Sequence, residues 1–574
     1  MFRPLFVFLV LACGSTIRAD DAADPLRRIP VQAGFVFKIE NPRLLVESVT
    51  KIGAYHGLEQ FPQARELFES TPVKRFFQTV RHLEKELGAP WPELLDKVAG
   101  RGIAIGVAID KEPQPAVLVL EGTDEAIVAK AHAMFLDGLR EELARGDAKK
   151  ELKTKELQGA MVSSTGKEFF TARIGPAIYI ANRDAAMLEC LKLAAGKGGT
   201  AVANHPTLAK AKALAGPNVV AWGWLDFAKV KESQQSKDFF ATTKKDIFQT
   251  MLFGSTADAA RRAEFIAFAL EQTPKGYSWA VRLPAKRSEL DPNMAIHAPF
   301  QGEPGSRPLL RPAGVLFSQS MYLDLGYLWK ERKRIFNPEN LKDLENGIAQ
   351  IDKVLPNTTF GQLLENSGPY HRFVAAHTGE KLYVVEPSQA IPPSAYVGSM
   401  RDAQYGESME ALLRAGGLIA GFQTGWKMSE ETFDGVKLVS YRFSEKVEPK
   451  FDDPEKLRFN AVPTFAIVGD SLIVGSTPGI VKLLIPELRK ESKASGSPAV
   501  WRASAFAAGG AKFLESNPEA TVTQAILSQG IGLAEAKEQT KKLAAWLGTL
   551  GRFDVSIDHA AEFFEFKIAW NTGN

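Results

Sequence analysis

Near the end of the chain the side chains alternate. Phe564, Phe566 and Ile568 fall on one side, and Glu565 and Lys567 on the other. That period of two predicts an antiparallel strand with one face on a core and one in water. Similar apolar runs recur at Ala116–Glu121, Phe170–Ile174, Ile178–Ile180, Glu264–Leu270 and Tyr277–Leu283. Other stretches have the helical spacing. Behind Asp124, a good N-cap, stand Ile127, Ala131, Met134, Phe135 and Leu139; behind Asp402 stand Met409, Leu412, Leu413 and Leu418. Strands come in adjacent runs with turn signals between them, and helices interrupt the runs. Regular strand–helix alternation is absent, which argues against a doubly wound parallel sheet or a β/α barrel.

The pattern occurs twice. Gln32–Phe37 resembles Pro312–Phe317, Ala116–Asp124 resembles Ala395–Asp402, and Leu157–Val162 resembles Phe433–Leu438. Phe170–Ile180 resembles Thr464–Val474, with tight turns at Gly175-Pro176 and Gly469-Asp470. The offset drifts from about 276 to about 301 residues, as a duplication with insertions would produce. Six prolines between Pro284 and Pro312 read as a semi-rigid linker whose Met294, Ile296 and Phe300 dock in part. The expectation is α+β: a first repeat domain over 20–285, a linker over 286–312 and a second repeat domain over 313–574. Each domain is expected to be a mainly antiparallel sheet with helices on one face.

Met1–Ala19 reads as an address. Arg3 is followed by the apolar run Leu5–Ala12 and by Ile17-Arg18-Ala19, the layout of a signal peptide cleaved after Ala19. The run is too short to span a bilayer, which takes about 20 residues. The runner-up is lipidation at Cys13, in Val10-Leu11-Ala12-Cys13-Gly14. Either route leads to an exported protein, periplasmic or extracellular, with no transmembrane helix in its mature chain. The 574 residues carry 45% hydrophobic and 24% charged side chains at a net charge of +3. Such a chain folds around a large core, and the near-neutral balance excludes nucleic acid as the expected partner. Of the two cysteines only Cys190 survives cleavage; its apolar helical surroundings predict a buried thiol.

Catalytic and metal motifs are missing. The sequence lacks G-x-S-x-G, G-x-G-x-x-G, the phosphate-binding P-loop, H-E-x-x-H and C-x-x-C. The eight histidines are scattered, and the closest pair, His371 and His377, suits neither helical nor strand chelation. No catalytic residue, metal ligand or cofactor is therefore assigned. One strand stands out: Val219–Leu225 carries Trp222 and Trp224 on one face, opposite Ala221 and Gly223. The matching stretch of the second copy, read as Ala520–Ile526, has no aromatic residue. Core packing explains such a pair; a ligand-binding face for a glycan or a protein is the alternative, and Trp222 and Trp224 are its candidate residues. The expected function is a non-catalytic exported envelope protein that binds or scaffolds an envelope protein or glycan. The competing expectation is a secreted hydrolase with an unrecognised carboxylate or serine site.

The Ala116–Asp124 strand-to-helix step, the Leu157–Ile180 strands and the Asn204-His205-Pro206-Thr207-Leu208 helix start resemble those of a family of exported bacterial proteins of unknown function. The likeness spans most of the mature chain. It implies the fold and the exported address, and no activity or site residues.

Overall fold

A computed structural model describes residues 23–50, 57–109, 112–145, 151–242, 247–299, 303–353, 355, 358–446, 451–491 and 496–572. Met1–Ala19 and Cys13 lie outside the described residues. Two compact units emerge. The first runs to Lys237 and adds Ala263–Pro284; the second is Asp238–Arg262 with Ala285–Asn574.

The first unit is a sheet of ten strands: β1 Phe35–Ile39, β2 Gly102–Val107, β3 Ala116–Glu121, β4 Lys153–Leu157, β5 Ala160–Thr165, β6 Phe169–Ile174, β7 Ala177–Ala181, β8 Val219–Asp226, β9 Phe265–Thr273 and β10 Gly276–Leu283. Every neighbouring pair is antiparallel, in the order β4-β5-β6-β7-β3-β2-β1-β8-β9-β10. The second unit has β11 Val315–Tyr322, β12 Ser367–Ala376, β13 Ser394–Met400, β14 Lys427–Phe433, β15 Val436–Arg442, β16 Thr464–Val468, β17 Ser471–Gly475, β18 Trp501–Phe506, β19 Arg552–His559 and β20 Phe564–Asn571. Its order is β14-β15-β16-β17-β13-β12-β11-β18-β19-β20, again antiparallel throughout. Strand for strand, the two orders are the same.

Tight turns set the registers. Gln158-Gly159 joins β4 to β5 and Asp434-Gly435 joins β14 to β15. Both first residues have positive φ, 53° and 48°, as a two-residue turn matched to strand twist requires. Gly175 and Gly469, each at φ 57°, turn β6 into β7 and β16 into β17. Counted outward from these turns through the ladders, Ala172 corresponds to Ala466, Tyr179 to Ile473, Val119 to Val397, Ala104 to Arg372, Lys38 to Ser320 and Trp222 to Arg502.

Helices cover both sheet faces of the first unit, which corrects the expectation of one. Val36, Ala104, Val117 and Val119 point to a core closed by Leu26 and Ile29 and by the helices Asp184–Ala194 and Leu208–Ala215. Ile39, Ile103 and Leu118, on the opposite face, pack with Leu45 of the helix Pro42–Thr50 and Ala99 of Trp91–Ala99. The central strands are apolar on both sides, so each side needs a cover.

Two more expectations change. The proline-rich 286–312, expected to dock in part, packs Ile296 with Leu328 and Phe336, and Leu310 enters the core of the second unit, while Phe300 lies outside the described residues. The helix Ile247–Arg262, expected in the first domain, joins the second unit through Ile247 and Met251 in that same Ile296 cluster. Ala520–Ile526 is not a strand but part of the helix Glu519–Gln529; the strand corresponding to β8 is β18. No helix among the described residues is long and apolar enough to cross a membrane.

Candidate functional site

Trp222 and Trp224 are 1% and 0% exposed, so they form no binding face. β8 is an inner strand between β1 and β9, and both indoles point into the core. Burial obliges each N–H to find an acceptor. Trp222 donates to Glu40 Oε1 at 2.7 Å and Trp224 to Thr207 Oγ1 at 3.0 Å. Between Trp222 and Ala104 in the ladder lies Lys38, 1% exposed. Its ammonium meets Glu40 at 2.8 Å and Asp24 at 3.1 Å. Burial works against the charge, but the two carboxylates outweigh it and hold the Lys38 pKa above its usual value. The cation of this face carries its own counter-charges.

The same face of the second unit is built differently. Where the first unit places Val36, Lys38, Ala104, Trp222 and Trp224, the second places Ser318, Ser320, Arg372, Arg502 and Ser504. Ser320 lies opposite Arg372 on one side and Arg502 on the other, and Ser318 opposite Ser504. Ser318 and Ser320 are both 0% exposed. Arg372 pairs with Glu491 at 2.7 Å, the two side chains being 4% and 7% exposed. The segment 303–311 crosses the row as a strap. Arg502 donates to the Arg307 carbonyl at 2.6 Å and Ser306 to the Ala499 carbonyl at 2.7 Å. The strap holds a one-bridge pairing, Ser306 with Ser497. Among the described residues no helix stands between Lys490 and Trp501, where the first unit has Leu208–Ala215.

This row is short of partners. Ser318 Oγ, Ser320 Oγ, Arg502 Nε and Glu491 Oε1 are buried without a hydrogen bond. Arg502 has no ion-pair partner among the described residues. Burial and the nearby Arg311 charge lower its pKa; burial also lowers that of Arg372, which Glu491 offsets in part.

Elsewhere the reactive groups are engaged or incomplete. Cys190 is buried, and burial pushes its thiol up to about 12. His371 lies between Tyr396 Oη at 2.6 Å and the Leu323 carbonyl at 3.0 Å. His377 approaches Ser516 Oγ at 3.4 Å, but that hydroxyl donates to the Lys512 carbonyl, and no carboxylate among the described residues orients the imidazole. An open depression of 660 Å³ beside Glu59, Arg65 and Glu69 holds no nucleophile next to a base among the described residues. No group of three side chains that could hold a metal ion occurs among the described residues.

Sequence reasoning missed Ser318, Ser320, Arg372 and Arg502. The usable signal was Ser318 and Ser320 alternating on a predicted strand where the first copy has Val36 and Lys38. The misread strand at Ala520–Ile526 hid the Arg502 counterpart of Trp222.

No family model matches this chain, and no curated protein matches it. Two solved structures, crystal forms I and III of TP0453, align with 47% of the chain at a TM-score of 0.23. The identities are 11% and 9%, over 81% and 82% of the TP0453 chains.

Proposed function

We propose that this chain is a non-catalytic exported binding or scaffold protein of the cell envelope, made by duplication of one α+β domain. The first unit is the packed copy and the second is the copy that recognises. The observation that carries this reading is the exchange of Val36, Lys38, Trp222 and Trp224 for Ser318, Ser320, Arg502 and Ser504 at matching ladder positions. A face that had only to fold would keep its apolar filling. Each buried polar atom without a partner costs about 1–3 kcal/mol, and the second unit keeps four of them in one place. A bound molecule that meets those atoms removes the cost. The common strand order and the matching turns support duplication; Arg3, the apolar Leu5–Ala12 and Ile17-Arg18-Ala19 support export.

The test is release of small molecules. Wild type and Arg502→Leu are purified gently from the native envelope, denatured, and the supernatants compared by mass spectrometry. The wild type is expected to release a polar small molecule that the variant lacks. Identical supernatants would remove the second unit as the recognising copy.

A further inference from the structure

We propose that the buried polar row of the second unit binds a phosphate group, held by the Arg502 guanidinium and the Ser318 and Ser320 hydroxyls beneath the 303–311 strap. The inference rests on the reading of the second unit as the recognising copy, and it names the chemistry of what is recognised.

The first argument is the charge that is missing. In the first unit the buried cation, Lys38, sits between Glu40 and Asp24. The ladder position of Glu40 is taken in the second unit by Tyr322. The correspondence is fixed by backbone bonds, Glu40 N–H to the Val220 carbonyl and Tyr322 N–H to the Val500 carbonyl. So the second unit replaces the carboxylate and brings in two guanidiniums, Arg372 and Arg502; Arg372 pairs directly with Glu491, and the half-buried Arg502 feels the same carboxylate only at longer range, which leaves two cations against one anion. Two more guanidiniums border the row. Arg311 depresses the Arg502 pKa by its charge, and Arg307 does the same to Arg372 while reaching Asp470 at 3.3 Å. Burying two cations against one carboxylate leaves part of the charge uncompensated, which is costly. An anion from outside supplies what Glu40 and Asp24 supply next to Lys38.

The second argument is the hydrogen-bond inventory. Arg502 Nε can only donate, Glu491 Oε1 can only accept, and each serine hydroxyl can do either. The occupant must therefore accept from Arg502 and donate to Glu491. A carboxylate or a sulfate accepts but has no proton to give. An ammonium gives but cannot accept. Water, a hydroxyl or an amide does both but brings no charge to set against the guanidiniums; a singly protonated phosphate does both and is an anion, and its remaining oxygens accept from Ser318 and Ser320. Arg–phosphate bonds belong to the strong, charge-assisted class.

The experiment is calorimetric titration of the full chain at constant ionic strength, with chloride as the balancing anion. Inorganic phosphate, glycerol 3-phosphate and sulfate are the titrants. One saturable site for phosphate or its monoester is expected, with sulfate at least about tenfold weaker, the loss from one unmet buried acceptor. Binding of inorganic phosphate identifies the free ion as sufficient. Binding of glycerol 3-phosphate alone identifies a phosphomonoester. Arg502→Gln is expected to weaken either at least about tenfold. The double substitution Ser318→Val with Ser320→Val, which removes both orphaned hydroxyls, should abolish binding without lowering the melting temperature in phosphate-free buffer. Absence of saturable heat with both phosphate titrants, or equal affinity in Arg502→Gln, would overturn the proposal, the orphaned atoms then being met by water. If phosphate fails while native wild type releases another molecule that Arg502→Leu lacks, the phosphate assignment falls and the recognising role stands.

Discussion

Trp222 acts through its surroundings. The indole fills the core of the first unit and ties Glu40, and through it Lys38, to β8. Trp222→Ala removes a large buried ring and leaves the half-buried Glu40 carboxylate one donor short. A loss of about 3–5 kcal/mol is expected, read as a lower urea midpoint at unchanged slope. Two histidines of the second unit make a different contribution. Burial lowers His559 to about 3, with the charges of His297 and Arg287 adding to it, and lowers His297 to about 4. Both imidazoles are neutral in the folded chain, whereas the unfolded chain protonates them near 6.5. The unfolded state then binds more protons, so stability is full above pH ~6.5 and falls with pH toward the folded values. The expected slope is about 1.4 kcal/mol per pH unit for each imidazole. Urea melts at pH 7.5 and 5.5 measure it, and His559→Phe should remove one share.

At the scale of elements, the straps matter most. In the first unit the short 3-10 helix Pro25–Arg28 is pinned by Arg28, which forms a two-pronged pair with Glu121, itself 0% exposed. In the second unit 303–311 fills the same office without a helix. Gly305 is what lets it approach. A Cβ there would stand 2.2 Å from the Pro498 carbonyl oxygen and 2.7 Å from that of Ala499. Gly305→Ala should therefore lift the strap and destabilise the second unit by about 1–3 kcal/mol. Calorimetry of the full chain should place this loss in a different transition from that of Trp222→Ala. A common shift of a single transition would mean that the two units unfold together.

For the whole molecule, the proposed export carries its own prediction. Cleavage after Ala19, as proposed, would leave Asp20 at the amino terminus, four residues before Asp24, the Lys38 partner. N-terminal sequencing of protein from the cell envelope should read Asp20 first. An intact Met1 would contradict export, and a diacylated Cys13 would replace cleavage by anchoring. Several large apolar side chains also stand in solvent, Phe248 at 69% and Phe422 at 81% among them.

What the sequence determined by itself is local. Alternation marked β20, helical spacing marked Glu125–Arg145, and Gly469-Asp470 marked a turn, because strand, helix and two-residue turn are decided by neighbours a few positions apart. The recurrence of such pieces in one order was legible for the same reason. The misreading of Ala520–Ile526 has a local cause too: Thr521, Val522 and Thr523 look like a strand, while Pro518 and the packing of Val522 make a helix. Only the tertiary structure decided which face each strand buries. Trp222 lies inside because β1 and β9 flank β8 and the helix Leu208–Ala215 closes over it. The candidate site was illegible for that reason. Ser320, Arg372 and Arg502 come together across 182 residues of chain only when β11 pairs with both β12 and β18. That pairing is set by burial of the whole sheet, which no stretch of sequence contains.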